Sequence, residues 1–293
     1  MYQKTKELKG MKRLAKVLGV VAVALGLAAT AQASDITIKG SDTLVILAQK
    51  WAETYMKGHP SVHIQVTGGG SGIGLAALQD GQTDIADASR QINAKEQEKC
   101  VLKYGDVPRE YKVAVDGLSV YVNKDNEVKE LNLDQLAGIF TGKVTNWKEV
   151  GGKDAPINVY SRENSSGTYE FFKENVLKKK DFVATAQTMP GTAVLVQRVE
   201  SDPNGIGYGG AAYTTGARAL AIKKTAEAAA IEPNETTVRN GTYPIWRYLY
   251  NYVMPKSDTG DVADYLKWIR GDEGQRIAKE VGYYPLPDDL RTK

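Results

Sequence analysis

Hydrophobic positions along this chain alternate between two periods. Ile36 and Ile38 flank Thr37 with the period of two that predicts a short strand. Leu44, Leu47, Trp51 and Tyr55 then recur at the three- and four-residue spacing of a helix that ends at Gly58-His59-Pro60. Val62, Ile64 and Val66 alternate as a second strand, the stretch 68–71 turns, Leu75-Ala76-Ala77-Leu78 predicts another helix, and 83–86 predicts a third strand. A pair of strand signals follows at 111–115 and 118–122. Beyond them, helical stretches near 133–140, 168–176 and 194–200 are separated by a strand at 157–160 and a glycine-rich strand at 205–209. The stretch 248–254 returns to a β pattern, and two helices near 262–270 and 273–281 close the chain. Strand, turn and helix in repetition predict an α/β sheet with helices on its faces, and the middle stretch predicts a second α/β lobe. No fixed-period repeat or low-complexity tract interrupts the pattern.

Length agrees with two lobes, because 293 residues lie where a single core stops growing. One cysteine, Cys100, and two histidines, His59 and His63, exclude a disulfide framework, a zinc-finger cluster and any site needing several soft ligands. Neither a metal nor a cofactor is expected. Residues 1–33 have the pattern of an export signal. Lys4, Lys6, Lys9, Lys12, Arg13 and Lys16 precede an apolar run at 17–29, and Ala31-Gln32-Ala33 supplies the small-residue cleavage pattern before Ser34. The run is short for a membrane span, although an N-terminal anchor helix is the competing reading. Cleavage after Ala33 leaves 32 basic and 34 acidic residues, so the apparent excess of basic residues belongs to the leader. A nucleic-acid partner is therefore not expected, since the exported chain has no basic excess and only Lys178-Lys179-Lys180 as a basic run.

The candidate chemistry lies in four loops, each following a strand and opening a helix: Gly40-Ser41-Asp42-Thr43, Gly68-Gly69-Gly70-Ser71-Gly72, Asp87-Ala88-Ser89-Arg90, and Arg162-Glu163-Asn164-Ser165-Ser166-Gly167-Thr168. In an open α/β sheet such loops gather at the carboxyl ends of the strands, where ligands bind. Free amides at helix N-termini, neutral hydroxyls and a guanidinium fork suit a tetrahedral oxyanion. Taken singly, Ser41, Asp42 and Thr43, or Ser166-Gly167-Thr168, are also what a plain helix cap looks like. Four loops of the same polarity and position favour a shared site. No P-loop is present, because Thr141-Gly142-Lys143-Val144 lacks the upstream glycine and the hydroxyl after lysine. Ser71 lacks the last glycine of a nucleophile elbow, and both histidines fall away from the four loops, so no catalytic residue is assigned.

With Gly40-Ser41-Asp42-Thr43-Leu44 and Trp51, Gly69-Gly70-Ser71-Gly72, the stretch 84–90, Ile139-Phe140-Thr141-Gly142 with Trp147 and Gly151-Gly152, and 162–168, the chain resembles the periplasmic phosphate-binding proteins of phosphate-specific ABC transporters, the PstS family. The resemblance implies a two-lobed type II periplasmic-binding-protein fold with a ligand cleft between the lobes and two interdomain crossings, near 115–118 and 241–246. Lobe 1 would comprise 34–116 and 243–293, and lobe 2 would comprise 117–242. It further implies a periplasmic monomer that captures inorganic phosphate and delivers it to the permease subunits of an ABC transporter in the membrane. Carried onto this chain, the donors would be Thr43 and the amide of Leu44, Ser71, Arg162, Ser166, Gly167 and Thr168. Ser41, Asp42, Gly72, Ser89 and Arg90 complete the expected site. One position departs from the family pattern. Arg90 stands after Ser89, where a carboxylate that accepts the proton of bound phosphate is expected, and Asp42 stands before Thr43, where a small residue is expected. Asp42 would then take the proton, with Arg90 binding an oxygen or pairing with Asp42, and Asp87 is the reserve acceptor. A different oxyanion (sulfate, molybdate or tungstate) and an exported phosphatase are the competing functions.

Overall fold

Alternating residues in the strands pack on both faces of two separate five-stranded sheets, with a first core of two hydrophobic clusters around one sheet and a second core of two around the other. The computed structural model describes residues 34–213 and 216–292, and the leader 1–33 lies outside the described residues. The first sheet contains β1 (Ser34–Gly40), β2 (Val62–Thr67), β3 (Ile85–Ala88), β4 (Arg109–Gly117) and β12 (Trp246–Val253), in the order β2-β1-β3-β12-β4. The second contains β5 (Ser119–Asn123), β7 (Asn158–Arg162), β8 (Gln187–Met189), β9 (Gly205–Gly209) and β10 (Ala217–Ala219), in the order β10-β5-β9-β7-β8. A two-stranded parallel sheet of β6 (Glu130–Asn132) and β11 (Ala221–Lys223) is added beside them. The molecule is therefore a two-lobed α/β protein. Its chain passes from one sheet to the other between β4 and β5 and returns before β12. The two successive strand signals at 111–115 and 118–122 accordingly belong to different sheets.

Helix α1 (Val45–Gly58) buries Leu47, Ala48, Trp51, Ala52 and Tyr55 against the first sheet. The indole of Trp51 donates to the Gly274 carbonyl at 2.7 Å, which fastens α1 to the C-terminal helix Asp272–Val281. Helix α2 (Ser71–Asp80) follows β2 directly, and α3 (Ala94–Tyr104) follows β3. The periodicity shows no sign of α3, because only Cys100 of its residues is buried; what defines it is the reciprocal Asn93–Glu96 cap. In the second lobe, α4 (Leu133–Phe140), α5 (Gly167–Asn175) and α6 (Thr192–Ser201) cover the sheet around Phe140, Phe172 and Tyr208. Among the described residues, no helix is long and apolar enough to cross a membrane.

Strand direction decides which residues meet. β1 and β3 run parallel, so the loops after them leave from the same edge of the sheet. β12 is antiparallel to both β3 and β4, so its first residues lie at that edge, and Arg247 stands directly opposite Asp116 near the end of β4.

Candidate anion-binding site

Four hydroxyls from the predicted loops form one buried cluster. Thr43 Oγ1 lies 2.6 Å from Thr168 Oγ1, Thr168 Oγ1 lies 3.3 Å from Ser89 Oγ, and Ser89 Oγ lies 3.2 Å from Ser71 Oγ. Each of these side chains is at most 1% exposed. Three of them come from the edge of the first sheet, and Thr168 comes from the start of α5 in the other lobe. Tyr283 donates to the Thr43 carbonyl and Tyr213 to the Asp42 carbonyl at 2.6 Å, which fixes the first loop. The sequence reading missed both tyrosines, since each lies far along the chain from the loop it holds.

Two glycines permit the approach of the lobes. A Cβ on Gly167 would collide with the Ser71 hydroxyl, and one on Gly70, where φ is 99°, would meet the Ser165 carbonyl. Because neither is present, the Gly72 amide donates to the Ser165 carbonyl at 2.9 Å and the Ser165 hydroxyl to the Gly69 carbonyl at 3.1 Å. Ser166 is the N-cap of α5 and accepts from the Tyr169 amide at 3.3 Å. Ser41 accepts from the Leu44 amide at 3.3 Å, while that amide also donates to the Ser41 carbonyl at 3.0 Å. Ser41 and Leu44 thus bond each other in the turn that precedes α1, and Ser166 caps α5.

Charges alternate around the cluster. Arg162, 2% exposed, donates through Nη2 to Asp42 Oδ2 at 2.7 Å and through Nη1 to Thr192 Oγ1 at 2.8 Å. The second carboxylate oxygen of Asp42 accepts from the Gly69 amide at 2.8 Å. Behind Thr168, the guanidinium of Arg247 donates from Nε and Nη2 to Asp116 at 3.0 and 2.8 Å. Asp116 is fully buried. No motif marks Arg247 and Asp116, although a carboxylate directly after the apolar run Val113-Ala114-Val115 is a signal that a buried partner exists.

Arg90 is elsewhere. At the end of β3 its side chain turns from the hydroxyls toward Glu96 on α3, which it meets at 2.7 and 2.8 Å, and toward Glu170 on α5. Burial opposes the Arg90 charge, but the two carboxylates outweigh it and hold its pKa above the ordinary value. Burial also raises Glu170. The expected pairing of Arg90 with Asp42 is replaced by Asp42–Arg162, because Glu96 is held at the start of α3, within reach of Arg90. Asp87, the reserve acceptor, lies in the first core, takes a hydrogen bond from Asn251, and is pushed up to about 8 by burial. Among the described residues, no group of three or more histidine, cysteine or acidic side chains is arranged to hold a metal.

The model of the PBP superfamily domain matches residues 27–273. The phosphate-binding protein PstS of Pseudomonas aeruginosa is 35% identical over 97% of both chains. The PstS of Bacillus subtilis is 32% identical over 88% of this chain and 83% of its own. Among solved structures, a phosphate ABC transporter substrate-binding protein of Clostridium perfringens with bound phosphate superposes with a TM-score of 0.80. It is 29% identical and covers 87% of this chain and 100% of its own. The fold, the order of the loops and these likenesses together place the chain in the PstS family of phosphate-binding proteins, within the PBP superfamily.

Proposed function

We propose that this protein is exported to the periplasm, with cleavage after Ala33, and there captures inorganic phosphate between lobe 1 (34–116 and 243–293) and lobe 2 (117–242) for the permease subunits of an ABC importer. It acts as a monomer and catalyses no reaction. The observation that carries this reading is the meeting of Thr43, Ser71 and Ser89 with Thr168 in one buried cluster beside Arg162. Rotatable hydroxyls that bond one another can each turn a proton toward an anion, and the starts of α2 and α5 add the positive ends of two helix dipoles. Each hydrogen bond to a charged group is worth ~1.5–3 kcal/mol. Several of them can offset desolvation and still leave the roughly 8 kcal/mol that micromolar affinity requires. Asp42 is the acceptor for the phosphate proton: it stands next to Thr43 of the cluster, and its carboxylate is held in place by Arg162 and the Gly69 amide. Arg90 serves closure instead of contacting the anion: its ion pair with Glu170 joins a residue of lobe 1 to the helix that begins with Gly167.

Titration calorimetry of the chain from Ser34 onward tests the assignment. Phosphate is expected to bind at micromolar or lower concentration, with sulfate, molybdate and tungstate at least a hundredfold weaker. Tighter binding of any of those three anions would reassign the ligand. Turnover of a chromogenic phosphate ester would reassign the protein as an enzyme.

A further inference from the structure

The Arg247–Asp116 pair does more than close a gap between two strands. Arg247 stands directly opposite Asp116 across β12 and β4, and its Nε and Nη2 satisfy one carboxylate oxygen. A structural pair needs nothing further. Yet the outer edge of the same guanidinium reaches past Asp116: Nη1 donates to the Ser89 carbonyl at 2.7 Å, and Nη2 donates to the Thr168 hydroxyl at 2.9 Å. The planar group also lies 5.1 Å from the centre of the Phe171 ring, on the helix that begins with Gly167. Arg247 is 4% exposed, so these contacts are little screened by water.

Guanidinium only donates, and this fixes the sense of the bond. Thr168 Oγ1 must accept from Arg247, so its one proton has to point elsewhere, toward Thr43, Ser89 or a guest between the lobes. The same logic holds at Ser71, whose oxygen accepts from the Ser89 amide at 3.0 Å and whose proton is thereby free to turn away. Of the two obligate donors, the amide is part of the backbone and Arg247 is the one that a side-chain substitution removes.

We propose that Arg247, held by Asp116, is a positioning residue of the anion site: it occupies the acceptor side of the Thr168 hydroxyl and so commits that hydroxyl to donating toward bound phosphate. This rests on the anion-site reading above. Without Arg247 the Thr168 hydroxyl has no fixed sense and, in a share of molecules, presents its lone pairs to the anion.

Calorimetry with phosphate on the unaltered protein, Arg247→Lys, Thr168→Val and the double variant tests the proposal. Lysine keeps a positive charge opposite Asp116 but cannot also reach Ser89 and Thr168 as a fork does. Each single variant is expected to weaken phosphate binding by roughly tenfold or more, the loss of one hydrogen bond to a charged group. In the Thr168→Val background, Arg247→Lys is expected to change affinity by less than about threefold, because its route to the anion is already gone. Losses that multiply independently would overturn the positioning role while leaving the anion site standing. Failure of the unaltered protein to bind phosphate would overturn both. Should Arg247→Lys fail to fold, 15N-arginine spectra of the unaltered and Thr168→Val proteins carry the same test, with Arg247 identified by its contact with the Phe171 ring. Saturating phosphate is expected to shift the Arg247 signal in the unaltered protein alone, and an equal shift in both overturns the role.

Discussion

Replacing Asp42 by asparagine separates two effects that are entangled in the intact site. The carboxylate accepts from Arg162 Nη2 at 2.7 Å and from the Gly69 amide at 2.8 Å, and its side chain is 18% exposed. Asparagine can keep the Gly69 bond through its carbonyl oxygen, so the loop is expected to hold. What changes first is the charge: Arg162 loses its nearer counter-ion and keeps only Glu163 at 3.6 Å, and the site becomes one unit more positive toward every anion alike. The second change is specific. At neutral pH phosphate carries at least one proton and can donate to a carboxylate, whereas sulfate has none and faces it with a lone pair. An unsatisfied, charged acceptor of this kind costs about 1–3 kcal/mol or more. The general gain cancels when the two anions are compared, so the ratio of their affinities isolates the acceptor role. At about 1.4 kcal/mol per factor of ten, Asp42→Asn is expected to lower the phosphate-to-sulfate ratio by roughly 10- to 100-fold. Calorimetry with both anions at pH 7 measures it. A ratio unchanged within threefold, with both affinities raised together, would show that Asp42 balances Arg162 and discriminates nothing.

Two other substitutions probe the packing of the site and the first core. Gly167→Ala places a Cβ against the Ser71 hydroxyl. It is expected to weaken phosphate binding at least tenfold by calorimetry while the melting temperature falls by only a few degrees, and retained affinity would refute the need for that close approach. Asp87 has a folded pKa of about 8, set by burial and only partly offset by Asn251, against an ordinary value of 3.8. The folded state therefore keeps a proton that the unfolded state loses: the stabilisation is complete below about pH 4, declines as pH rises, and is gone above about 8. Asp87→Asn cannot lose a proton, so its melting temperature is expected to fall less between pH 5 and 8 than that of the unaltered protein. Equal falls would place the titration elsewhere.

The sequence made the loops legible because parallel strands send their carboxyl ends to one edge, and hydroxyl-bearing loops after three such strands had to meet there. Thr43, Ser71 and Ser89 follow from that rule. Thr168 follows from the same rule applied to β7 in the other lobe. Arg247 escaped it because β12 runs antiparallel, so the relevant end is the strand's beginning, and nothing in the local pattern announces direction. Arg90 sat in the right loop yet points away from the cluster. Glu96 and Glu170 compete for it, and the second is eighty residues distant in the chain. Helix α3, which carries Glu96, was invisible to hydrophobic periodicity since nearly all of it faces water, though its Asn93-x-x-Glu96 cap could have been read. Loop residues show what chemistry is on offer; which partner each one takes depends on pairings that only the fold brings together.

Charge balance then bears on how the site would release what it captures. Arg162 is matched by Asp42 and Arg247 by Asp116, so the cluster presents no net positive charge to hold an anion at long range. Attraction must come from amides and hydroxyls at contact distance, and these are divided between the lobes: Thr43, Ser71 and Ser89 on one side, Thr168 and the first turn of α5 on the other. Moving the lobes apart by a few ångströms removes one set of short-range bonds entirely, since a hydrogen bond needs its donor and acceptor within about 3.5 Å. A site with an excess of arginine would keep much of its hold through such a movement, because the Coulomb attraction of unpaired charges falls only as the inverse of distance. In the site proposed, pairing each arginine with a carboxylate would therefore make affinity depend on closure, so that opening alone would be enough to let phosphate go.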